Sequence, residues 1–193
     1  RGIPLPPKSD MWPRYQGPFI RRPPEHDAGD EAVPDREAVV GRWGLISSMT
    51  KADGLDKAGK LSTFNARSET AAKSFTFGNA WRRGQHCIIP AEAIFEPDWS
   101  SGAAVATRFT RADGAPLGIA GLWDRYRDAA GQWQESYTML TINADKDPSS
   151  STTTRRARKS AWSSFCRRGP TKTGSPRQSR TPGISWCPTR PTG

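Results

Sequence analysis

Residues 146–193 contain no Leu, Val or Met and one Ile, Ile184, so any hydrophobic core this chain builds has to come from the residues before them. The same stretch holds 17 Ser and Thr, 11 Lys and Arg and one acid, Asp147, a net of +10. The whole chain of 193 residues also carries +10, which leaves residues 1–145 with 18 charges of each sign. The sequence therefore divides into a neutral stretch, 1–145, of a size suited to one domain, and a basic tail, 146–193, rich in Ser, Thr, Arg and Pro, whose composition reads as disordered. No apolar run approaches the roughly 18 residues a membrane span requires, and the first residues show no signal pattern, so a soluble, cytoplasmic protein is expected. Cys87, Cys166 and Cys187 are odd in number and match neither a zinc site nor a redox pair, so reduced thiols, no metal and no cofactor are expected. Oligomeric state is not legible.

Within the first 145 residues, 1–35 read as irregular structure anchored by Met11, Trp12, Tyr15 and Phe19. Short apolar runs at 36–47 and 86–97 read as strands. Phe77, Ala80 and Trp81 lie at helical spacing ahead of Gly84, a left-handed stop, which predicts a short helix near 76–83. Runs at 103–111 and 116–123 flank Ala112-Asp113-Gly114 and read as a hairpin, and 135–144 reads as a further strand. Such an order predicts an α+β, β-rich single domain: an antiparallel twisted sheet or barrel-like core with a few short helices, not a parallel βαβ sheet.

The stretch STFNARSETAAKSF at 62–75, with FEPDW at 95–99 and TMLTINAD at 138–145, is similar to the SOS response-associated peptidase family of abasic-site processing proteins. The resemblance runs from about Met11 to Asp145. It implies binding to single-stranded DNA at abasic sites during the SOS response to DNA damage. It also implies a covalent DNA–protein crosslink, in which an N-terminal cysteine closes a thiazolidine ring on the opened sugar, with the peptidase activity of the family's name and lyase-like chemistry. By the same resemblance Asn65 is the amide that hydrogen-bonds the sugar and Glu96 the acid that moves protons, in a pocket that suits a raised pKa. Arg67 is implied to grip backbone phosphate, and Trp43 and Thr141 to lie on the DNA side. Read without the family, Asn65 is a turn residue, Glu96 a strand end, Arg67 a solvated group and Trp43 a core residue. The joint spacing favours the functional reading for Asn65 and Glu96. His86-Cys87, in an apolar strand, reads as structural rather than as a reactive pair.

The chain departs from the family pattern in three places. Ser47-Ser48-Met49 replaces a Pro, a small residue and an aromatic wedge; the printed chain starts at Arg1 without Met-Cys; and His26 and His86 both precede the position of the family's downstream histidine. With Asn65 and Glu96 present but the family's cysteine and histidine not, the chain is expected to bind weakly without crosslinking, so whether it is an enzyme stays open. Two readings of the tail stand. It is a native basic segment that binds nucleic acid through phosphate contacts alone, or it is the family's C-terminal region read one base out of frame. In the second case, codons compatible with Lys159–Cys166 can encode Lys-Arg-Met-Val-Val-Val-Leu.

Overall fold

The computed structural model describes residues 10–24, 35–98, 102–103 and 105–143, together with the backbone of two short strands at 161–163 and 186–189. The rest of the tail, His26 and Cys166 lie outside the described residues. Among the described residues, ten strands and three short α-helices follow one another along the chain. The strands β1 (Gln16–Arg21), β2 (Glu37–Trp43), β4 (His86–Ala91), β7 (Leu117–Arg127) and β8 (Trp133–Asn143) make the main sheet, which β3 (Asn65–Arg67) extends. β5 (Ile94–Asp98) and β6 (Val105–Arg111) form a separate antiparallel pair. The helices are α1 (Leu55–Lys60), α2 (Ser68–Ala71) and α3 (Gly78–Arg82). In the tail, β9 (Ala161–Ser163) pairs with β8 and β10 (Trp186–Thr189) with β6.

The main sheet closes on itself. β2, β1, β4, β7 and β8 are antiparallel neighbours in that order, and β8 then meets β2 in parallel at Arg42 opposite Ser136 and Trp43 opposite Tyr137. Where β2 ends, β3 takes over the same edge of β8, again in parallel, with Asn65, Ala66 and Arg67 opposite Met139, Leu140 and Thr141. The expected α+β class and barrel-like core are thus present, with parallel pairs at the closure. A closed barrel leaves no edge among these five strands, so strand alternation divides their residues into an inside and an outside. Inside lie Phe19, Cys87, Ile89, Leu117, Ile119, Trp123 and Tyr137, with Val39, Trp43 and Met139 against them. Outside, Leu122 and Leu140 pack with Leu45, Ala66, Ala71 and Ala80 under α2 and α3. Gly121 leaves no room for a side chain: a Cβ there would stand 2.6 Å from the Thr138 carbonyl oxygen, so only glycine fits.

Arg21 points inward from the end of β1 and is buried. Its Nε donates to Glu37 at 2.7 Å, its Nη1 and Nη2 to both Glu135 oxygens at 2.7 and 2.9 Å, and its Cζ lies 4.0 Å from the Trp123 ring centroid. Three strands are tied there by one guanidinium, whose planar fork can satisfy two carboxylates at once.

Several sequence expectations are corrected by the structure. The run at 86–97 is two strands, broken at Glu92-Ala93, because the chain leaves the barrel after Ala91. The turn at Asp113-Gly114 forms, with Gly114 N–H donating to the Arg111 carbonyl, but it does not make a hairpin. β6 before it pairs with β5 and β7 after it with β4 and β8, so the turn carries the chain between sheets. The actual hairpins are β5–β6 and β7–β8. The helix expected near 76–83 is α3, shorter by two residues at its start, and Gly84 follows at φ 66°. Residues 16–21, expected to be irregular, form β1. Among the described residues no helix is long and apolar enough to cross a membrane.

Candidate functional site

Asn65 and Arg67 are exposed at either end of β3, while Ala66 between them is buried against Leu140 and Ala71. Alternation in a three-residue strand accounts for this: the small middle residue faces the core and its two polar neighbours face out. Phe64, just before Asn65, is fixed from two sides. Its carbonyl accepts the Met139 N–H at 3.0 Å and the Trp43 indole N–H at 2.9 Å, and the Trp43 and Phe64 rings meet edge-on at 6.1 Å. Trp43 is therefore half-buried in the barrel, holding the strand that presents Asn65. Thr141 is buried opposite Arg67, its hydroxyl 3.4 Å from the Ala66 carbonyl oxygen, and acts from beneath the strand.

Glu96 stands on β5 opposite Thr107, half-buried. Burial pushes its carboxyl up from 4.5 to about 7, with no charged neighbour contributing. A group with that value exchanges protons near neutral pH, as a general acid or base requires.

The strand register relates the two parts. Met139 lies opposite Gly121, and Gly121 opposite Cys87. Moving along β8 toward Asn143 therefore corresponds to moving along β7 and β4 toward Leu117 and Ala91, which pair with each other and from which the β5–β6 hairpin departs. Asn65, Arg67 and Thr141, beside residues 139–141, and the root of the strand carrying Glu96 thus share one end of the barrel.

Sequence reasoning missed the residues that shape the loop at Ser47–Thr50. Asp124 is fully buried on β7 and its Oδ2 accepts both the Ser48 N–H at 2.9 Å and the Ser48 hydroxyl at 3.1 Å. Asn79 donates to that same hydroxyl at 3.1 Å, and the Ser136 hydroxyl bonds both backbone groups of Ile46. The turn Ser47–Thr50 is held from below, with Met49 exposed at its tip. The only signal for this was an acid inside an apolar strand, Leu122-Trp123-Asp124, which has to be hydrogen-bonded if buried. His86 and Cys87 form no pair: alternation turns Cys87 into the barrel and leaves His86 exposed against the Trp81 ring, 5.5 Å away. Among the described residues no cluster of three His, Cys, Asp or Glu could hold a metal ion.

The profile of the family described as SOS response associated peptidase (SRAP) matches residues 3–156. This chain belongs to that family. Among solved structures, it is similar to a Bordetella bronchiseptica protein at 57% identity, with a TM-score of 0.72, covering 85% of this chain and 73% of that one. A Bacteroides thetaiotaomicron protein is 24% identical at a TM-score of 0.49 over 55% of this chain and 46% of that one. No curated protein matches the chain.

Proposed function

We propose that this SRAP protein recognises abasic sites in single-stranded DNA, in the cytoplasm, as part of the response to DNA damage. The observation that carries the reading is Glu96. Its half-buried carboxyl is raised to about 7 on a strand that leaves the barrel at the end where Asn65 and Arg67 lie. An abasic site is in equilibrium with a ring-opened aldehyde, which a neutral amide can hydrogen-bond without adding charge. Asn65, exposed on a strand fixed from both sides, suits that task. Arg67, two residues on and exposed, faces where backbone phosphate would run.

The chemistry such a site supports is imine formation at the sugar aldehyde. An amine adds to the carbonyl carbon, water leaves, and a thiolate closes the ring on the imine carbon. Glu96 gives a proton to the departing hydroxyl and takes one back from the nucleophile, a role worth roughly 10²–10⁴-fold in rate. The family's nucleophile, an N-terminal cysteine, is not among the described residues. Peptidase activity of the kind in the family's name would use the same nucleophile and acid.

The test uses single-stranded oligonucleotides with and without one abasic site. Asn65→Ala should lower the preference for the abasic strand about tenfold while leaving affinity for the intact strand unchanged, the loss expected for one well-placed hydrogen-bond set. An Asn65→Ala protein with the full preference would rule the reading out. A second reading rests on the tail's net +10: non-enzymatic binding to any nucleic acid, blind to the lesion and lost steeply with salt.

A further inference from the structure

The turn between α2 and α3 places a large aromatic fully in solvent. Phe75 is 97% exposed, against 72% for Met49, the next most exposed large apolar residue among the described residues. Its exposure is not the looseness of an unstructured loop. The Ser74 hydroxyl accepts the N–H groups of Thr76 and Phe77 at 3.2 and 3.3 Å, the Ser74 N–H donates to the Ala71 carbonyl at 3.1 Å, and the Gly78 N–H donates to the Ser74 carbonyl at 2.9 Å. The turn is also tight: a Cβ on Gly78 would lie 2.9 Å from the Ala72 carbonyl oxygen. That same carbonyl accepts from Arg82 Nη1 at 3.2 Å, so the Arg82 guanidinium sits at the base of the turn.

Along this stretch of chain the formal charges are all positive. From Thr70 to Ala91 the chain carries Lys73, Arg82 and Arg83 and no Asp or Glu; the flanking acids are Glu69 and Glu92. All three cations are exposed. α2 begins at Ser68, directly after Arg67, so this basic turn continues from the strand that presents Asn65.

We infer that the Phe75 turn is a second contact for single-stranded nucleic acid, with Phe75 stacking on a base and Lys73 and Arg82 facing the phosphates beside it. An exposed ring on a rigid turn loses little conformational freedom when a base stacks on it, and every base offers a face, so the contact is indifferent to sequence. The exposed cations supply the complement to the phosphodiester. The inference rests on the proposed DNA-binding function and adds a site outside the lesion pocket, one that raises affinity for strand flanking the lesion and leaves lesion preference unchanged.

Fluorescence anisotropy of the full chain tests it, using labelled single strands of about 20 nucleotides, intact and abasic. Phe75→Ala removes only exposed surface and is expected to keep the parent melting temperature while weakening binding to both strands roughly 5-fold or more. Lys73→Glu is expected to weaken both and to flatten the dependence of affinity on salt. If both variants bind like the parent while Asn65→Ala loses lesion preference, this inference fails and the proposed function stands. If the parent binds neither strand, both fail. If Phe75→Ala improves solubility or removes self-association with no change in DNA affinity, the turn is a protein-docking surface and the inference is overturned.

Discussion

Glu96 and Arg21 show how differently the fold treats two charged residues. At Glu96, burial raises the folded-state carboxyl from 4.5 to about 7, so between those values the folded chain holds a proton that the unfolded chain gives up. Stability from this group is therefore greatest below pH 4.5 and is lost as pH rises toward 7, by at most about 3 kcal/mol, less the share solvent screens at a half-buried site. Glu96→Gln is expected to match the parent's melting temperature at pH 5 and to exceed it at pH 8; a constant gap across that range would show that the carboxyl is not displaced. At Arg21 the charge is buried with two partners, and Arg21→Ala leaves Glu37 and Glu135 unpaired beneath Trp123. The expected loss is about 3–5 kcal/mol in denaturant unfolding. Of these features, Asn65, Arg67 and Glu96 stood out in the sequence through their likeness to the family motif. A raised Glu96 pKa was expected from the same likeness, but its physical cause, burial of the carboxyl on β5, was not legible. Nor was the role of Arg21, which in Arg21-Arg22 looks like any surface pair.

Elements were read best where hydrophobic alternation is regular and least well where the chain changes sheets. The strands near 36–47 and 135–144 were found within a few residues of β2 and β8, and the Gly84 stop marks the end of α3. The turn at Asp113-Gly114 carries every local sign of a hairpin, but which strands pair depends on barrel closure, a non-local property that turn chemistry does not encode. The loop at Ser47–Thr50 was visible only as a departure from the family's wedge, and its support, Asp124, comes from a strand 76 residues away. Asp124→Ala removes both bonds to Ser48. It is expected to cost about 3 kcal/mol, as for hydrogen bonds to a buried charge, and to speed amide hydrogen exchange at residues 47–50. Unchanged exchange there would mean that Ser136 and Asn79 hold the loop without Asp124.

For the whole molecule, where the charge lies along the chain decides between the two functions. The first 145 residues are electrically neutral and build the barrel and the Asn65–Glu96 end, whereas the tail carries the entire net charge of +10. A lesion-reading barrel and a phosphate-binding tail respond differently to the same two substrates, because phosphate contacts carry no information about a missing base. The most direct measurement is therefore the affinity of the full chain for two single strands identical except for one central abasic site, near physiological salt and pH 7. Tighter binding to the abasic strand by about tenfold, from the hydrogen bonds of Asn65 and its neighbours, is the expected result. Equal affinity for the two strands, falling steeply together as salt rises, would contradict abasic-site recognition and give the binding to the tail.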